Sequence, residues 1–201
     1  MGPRLRVLSV RNVKKKQNVG ICILANNNTL VLGIGNTLLS DEGVGVRMLA
    51  YLQDNCPDLP DVDYLDGGTL SFTLAGWIEE AEQLVVIDAA QLDSAPGTVQ
   101  VFEGEEMDRF AGRTKRSVHE VSLGDLLAIA HLTDTIPSKR ALVAIQPQEI
   151  DWGSTLSDAV DRALPVAAEK IAGLVHRWAG VTGGTGNASG LSRTDNQQMG
   201  A

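Results

Sequence analysis

A chain of 201 residues with 43% apolar content has the size of one compact domain, large enough to bury about 70% of the surface that its unfolded form exposes. Its 25 acidic and 17 basic residues leave a net charge of −8, which argues against nucleic acid or an anionic membrane as the main partner. No stretch approaches the ~20 apolar residues of a membrane span.

The charge is unevenly placed. Residues 1–40 carry six bases and no acid, so the remainder stands at −14. The basic stretch with Lys14-Lys15-Lys16 shows no period. The apolar segment Val19–Ala25 runs into Asn26-Asn27-Asn28 without a small-residue cleavage site. A disordered leader or a misassigned start is therefore expected over residues 1–28, a folded domain over 29–179, and a disordered tail rich in Gly, Ser, Thr and Asn over 180–201. Cys22 and Cys56 make no CxxC pair and no bridge framework, as expected in a reducing cytoplasm.

In chain order, Leu30–Ile34 reads as a buried strand and Val44–Gln53 as a helix with Val46, Leu49 and Leu52 on one face. The turn between them is punctuated by Gly33, Gly35, Gly43 and Gly45 and carries Asp41-Glu42. It lacks the third glycine of a dinucleotide loop, which would fall at Leu38. It has Glu42-Gly43-Val44 where a phosphate loop has Gly-Lys-Ser/Thr. Two carboxylates at a helix entrance repel a phosphate and suit a cation. The plainer reading is that they cap the helix, and one of the two is expected to do so.

Val62–Leu65 is the second strand, ending at Asp66-Gly67-Gly68, with Thr69 as N-cap of a helix through Ala81 that turns Leu70, Leu74 and Trp77 or Ile78 inward. Leu84–Ile87 reads as a central strand ending at Asp88. After the Pro96-Gly97 turn and the strand Thr98–Phe102 comes a polar, loop-like stretch, its Glu103, Glu105, Glu106 and Asp108 a solvated surface. Ser122 and Asp125 form a capping box for the helix Leu123–Ile129, Ala141–Ile145 is the fifth strand, and a helix from Ser157 to Trp178 kinks or restarts at Pro165. Strands alternating with helices predict an α/β fold, a three-layer α/β/α sandwich around a mostly parallel, five-stranded twisted sheet.

The functional cleft of such a sheet lies beyond the carboxyl ends of its strands. The Asp41-Glu42 pair, Asp66 and Asp88 all fall there. Asp66 stands on a flexible Gly-Gly backbone, with a plain turn as the alternative. Asp88 is expected to hold a neighbouring loop rather than face the cleft. Of the three histidines, His119 in a loop is the ligand candidate, His131 suits a helix C-terminus, and His176 lies within the last helix. Glu42, Asp66 and His119 together offer two oxygens and one imidazole nitrogen. That incomplete sphere fits a divalent ion such as Ni²⁺ or Zn²⁺ with positions left open.

Three segments then carry a resemblance: Gly33-Ile34-Gly35-Asn36 with Asp41-Glu42-Gly43-Val44-Gly45, Leu65-Asp66-Gly67-Gly68-Thr69, and His119 with Leu123-Gly124-Asp125-Leu126-Leu127. With Ala95-Pro96-Gly97-Thr98 and Ile145-Gln146-Pro147, the chain over about residues 30–178 resembles the hydrogenase maturation endopeptidases, C-terminal processing proteases of the nickel–iron hydrogenase large subunit. The resemblance implies metal contacts from Glu42, Asp66 and His119, with Glu42 and Asp66 as the catalytic carboxylates. It implies nickel supplied by the substrate precursor as the recognition signal, with zinc or cadmium as stand-ins in the isolated protein. The implied partner is the large-subunit precursor, met by a cytoplasmic monomer. Cleavage by metal-activated water and an aspartic-type mechanism both stay open. A metal-binding assembly chaperone that does not hydrolyse is the alternative.

Overall fold

Two strands with no polar face set the architecture. β1 (Thr29–Ile34) is buried along its whole length, and β3 (Gln83–Ala89) nearly so, as strands covered on both sides must be. They lie at the centre of a sheet ordered β2-β1-β3-β5-β4, where β2 is Val62–Gly68, β4 is Val99–Glu103 and β5 is Lys139–Ile145. The first four of these run parallel, and β4 pairs antiparallel with β5 at one edge. The computed structural model describes residues 28–113 and 121–180. The basic leader, the segment containing His119 and the tail beyond Gly180 lie outside them.

Alternate residues of each strand feed two separate cores. Val31, Val85, Ile87, Val143 and Ile145 pack against α1 (Val44–Asn55) and α6 (Leu164–Trp178). Leu30, Leu32, Ile34, Leu84, Val86 and Leu142 pack against α2 (Ala75–Glu80), α3 (Glu105–Arg113) and α4 (Leu123–Leu132). The expected three-layer sandwich is thus the observed fold. Two glycines let α1 lie directly on the sheet backbone. A Cβ on Gly45 would collide with the carbonyl oxygens of Ile34 and Ile87, and one on Gly33 with that of Gly45.

The structure departs from the sequence reading in three places and decides one alternative left open. β2 runs on through Asp66 and Gly67, with Asp66 opposite Gly33 and an irregularity in the pairing just beyond. Thr69 does not cap a helix, because the backbone stays extended at Ser71 (φ −141°, ψ 159°) before a 3-10 turn, Phe72–Leu74, leads into the short α2. The polar stretch after β4 is helix α3. Its Glu105, Glu106 and Asp108 occupy the first turn, where the helix dipole favours them, and Met107 and Ala111 are buried. Of the kink and the restart expected at Pro165, the restart is observed: α5 (Asp158–Asp161) ends and α6 begins with the proline in its first turn. The capping box stands as expected, Ser122 and Asp125 each accepting from the other's backbone.

α3 is tied down by charge. Asp108 accepts from Arg140 through both oxygens, at 2.9 and 2.5 Å, and lies 3.3 Å from His131 Nε2. Burial pushes the Asp108 carboxyl up, but the hydrogen bonds and charge of Arg140, with those of His131, outweigh it and hold the group below the usual carboxylate range.

Candidate active site

The chain leaves β1 for β2 on one side and returns to β3 on the other, so a crevice opens beyond the carboxyl ends of β1 and β3. A cavity of about 570 Å³ occupies it. Ile34, Gly35, Asn36 and Glu42 enter from the loop after β1, Gly68 and Thr69 from the end of β2, and Asp88, Ala89 and Ala90 from β3. Phe110, Ala111, Val121 and Leu123 supply an apolar wall from α3 and the start of α4.

Gly35 makes the first loop possible. Its φ of +132° is open to glycine alone, and its N–H donates to Gly68 O at 2.8 Å, binding the loop to the end of β2. A 3-10 turn, Ser40–Gly43, then sets Glu42 half-buried at the cavity and Asp41 fully buried behind it. Neither carboxylate caps a helix by a side-chain hydrogen bond, contrary to expectation. Asp41 instead accepts from Gln148 N (2.9 Å), Glu149 N (3.0 Å), Ser157 N (2.7 Å) and Ser157 Oγ (2.8 Å). Burial raises its pKa, while these donors pull it down further, leaving the carboxyl below its ordinary value. Asp41 is a brace for the loop that follows β5.

Of the predicted site residues, the structure places Glu42 in the cavity. Asp88 joins it there, where it had been expected to serve a neighbouring loop. Strand alternation is the reason: Asp88 continues the Leu84, Val86 face, over which the cavity opens. Asp66 continues the Val62, Tyr64 face toward α1 and is not among the lining residues. It is exposed, and its Oδ1 accepts from Gly68 N at 2.9 Å. His119 lies outside the described residues, within the segment leading to Val121. Among the described residues, no three His, Cys, Asp or Glu side chains gather into a group able to hold a metal. The donors that do share the cavity are two carboxylates, hard oxygen ligands suited to a divalent ion once an imidazole completes them.

A doubly covered, mostly parallel sheet with paired carboxylates at its switch point is the frame of a strand-end α/β enzyme. Comparison with known proteins narrows this to a family. The family model described as hydrogenase maturation protease matches residues 46–174. The hydrogenase expression/formation protein HoxM of Cupriavidus necator is 36% identical over 153 residues, covering 76% of each chain. Among solved structures, the hydrogenase maturating endopeptidase HybD from Escherichia coli superposes with a TM-score of 0.68 at 31% identity, covering 76% of this chain and 94% of that one. The nickel–iron hydrogenase maturation protease HybD from Thermococcus kodakarensis does so with a TM-score of 0.58 at 28% identity, covering 74% and 99%. The chain belongs to the hydrogenase maturation proteases and is an endopeptidase of that family. No helix of the described residues is long and apolar enough to cross a membrane.

Proposed function

We propose that this endopeptidase removes the C-terminal extension of a nickel–iron hydrogenase large-subunit precursor in the cytoplasm. In this reading it docks on nickel that the precursor already carries. Glu42 and Asp88 are the carboxylates that meet the substrate, and His119 is the third donor. The observation that carries the reading is the convergence of Glu42 and Asp88 in one cavity from two different strand ends. Two oxygens and an imidazole leave room in a coordination sphere already part-filled by the client, which lets the metal set the register of the scissile bond.

The chemistry asked of this chain is modest. A carboxylate in the cavity takes a proton from water as the water oxygen bonds to the peptide carbonyl carbon. The same proton passes to the departing amine as the C–N bond breaks. Either Glu42 or Asp88 can serve. Asp66, one hydrogen bond from a lining residue, is assigned to the approaching chain rather than to the bond being cut.

The test is processing of purified nickel-loaded precursor, followed as loss of the extension. Glu42→Gln, Asp88→Asn and His119→Ala each abolish shortening with the melting temperature unchanged. Asp66→Asn raises KM and spares kcat. Full activity in Asp88→Asn with complete loss in Asp66→Asn returns the second carboxylate to Asp66. Binding without shortening by the wild-type protein makes it a chaperone.

A further inference from the structure

At the same end of the sheet as the cavity, the segments that follow β1 and β5 hold large apolar side chains in the open. Trp152 is 80% exposed, Leu38 58% and Ile150 47%. Trp152 and Ile150 belong to the irregular segment after β5, and Leu38 to the loop that delivers Glu42. Backbone bonds join the two segments: Ser40 N donates to Gly153 O at 2.9 Å and Gly153 N to Leu38 O at 3.0 Å. Ser40 Oγ donates to Asp151 O at 3.0 Å, and Arg47 reaches Ser154 O. Beneath them the buried carboxylate of Asp41 gathers Gln148 N, Glu149 N and Ser157. A segment that merely linked β5 to α5 would need no buried charge to fix it, and here three large apolar side chains are displayed on two segments joined by backbone bonds rather than scattered singly. Glu149 and Asp151, which flank Ile150 in the chain, are exposed.

We infer that Leu38, Ile150 and Trp152 form a rigid docking platform for the body of the precursor, next to the segment that enters the cavity. The surface it fits is an apolar pocket with a basic rim. The inference rests on the proposed function and deepens it. Its occupant follows from continuity: the platform and Glu42 share one loop, so whatever places a scissile bond at Glu42 lies across Leu38. Exposed acids that flank apolar side chains match basic residues beside an apolar pocket. An exposed indole on a braced backbone is the kind of residue that carries most of an interface's energy, because little entropy is lost in fixing it.

The experiment is steady-state processing of nickel-loaded precursor by wild-type protein, Trp152→Ala, Trp152→Lys and Leu38→Ser, with Trp77→Ala as the control for an exposed indole on a different element, α2. Each platform variant is expected to raise KM about tenfold or more at unchanged kcat, with an unshifted melting curve. Trp77→Ala is expected to match wild type. Raising salt from about 0.05 to 0.5 M should weaken wild-type binding through the flanking acids. Wild-type processing is the check on the underlying function. If it proceeds and the variants keep the wild-type KM, the platform is not a docking surface for the client. The inference is equally overturned if Trp152→Lys converts a dimer to a monomer in sedimentation while KM stays fixed, since a second copy is then the occupant. A fall in kcat alone would place Trp152 in the cavity's chemistry and also overturn it.

Discussion

Replacing Asp41 tests the link between the buried brace and the geometry of the site. The carboxylate is fully buried and accepts four hydrogen bonds at 2.7–3.0 Å from the segment after β5. A hydrogen bond to a charged group contributes about 1.5–3 kcal/mol net, but the bonds share one anchor and their donors partly rehydrate once the loop lifts. Asp41→Ala is therefore expected to cost about 4 kcal/mol, well below the simple sum. In a domain of this size that lowers Tm by about 10 °C. Asp41→Asn can keep a carbonyl oxygen at the Oδ2 position for three donors and loses the bond to Ser157 N, so about 2 kcal/mol is expected. The carboxyl is held below its ordinary value in the folded protein. Its stabilisation is therefore full above the unfolded value of about 3.9 and fades as pH falls through the folded one. Thermal melts by circular dichroism at pH 7 and in acid provide the assay. A Tm for Asp41→Ala within about 2 °C of wild type, or a gap that persists unchanged below about pH 3.9, would refute the reasoning.

Three further outcomes follow from the packing. Gly45→Ala drives a methyl into the carbonyl oxygens of Ile34 and Ile87 and is expected to lose about 3 kcal/mol or more, read as a lower urea midpoint. Ser122→Ala removes one half of the capping box on α4 and should cost about 1 kcal/mol, read the same way. Arg140→Met strands Asp108 in a part-buried site and is expected to cost about 3 kcal/mol, most of it recovered in the Arg140→Met, Asp108→Leu double variant.

Most of the fold was legible because β1, β3 and β5 are continuous apolar runs, and such runs have one physical use, burial on both faces. α3 escaped because its charged first turn drowned a pattern that was present: Met107, Phe110 and Ala111 stand at helical spacing. The Thr69 helix start failed because Gly68, at φ +48°, turns the chain, and Ser71 is still extended just before the 3-10 turn. Glu42 could be found from its place in a glycine loop before a helix. Which of Asp66 and Asp88 lines the cavity depends on the face of the sheet each occupies. Counting alternation back along β3 from Ala90 puts Asp88 with Val86 and Leu84, but nothing in the sequence says which face carries the cavity. That depends on where α3 and α4 pack. The bracing role of Asp41 is not legible locally, because its partners lie more than 100 residues downstream.

The proposed function requires the client's own nickel to bring its peptide bond to Glu42 and Asp88. Intact-mass measurement of one large-subunit precursor, prepared with and without nickel and incubated with the wild-type protein, tests this most directly. Loss of the C-terminal extension is expected from the nickel-loaded precursor alone. Equal shortening of the nickel-free precursor contradicts the nickel-docking proposal.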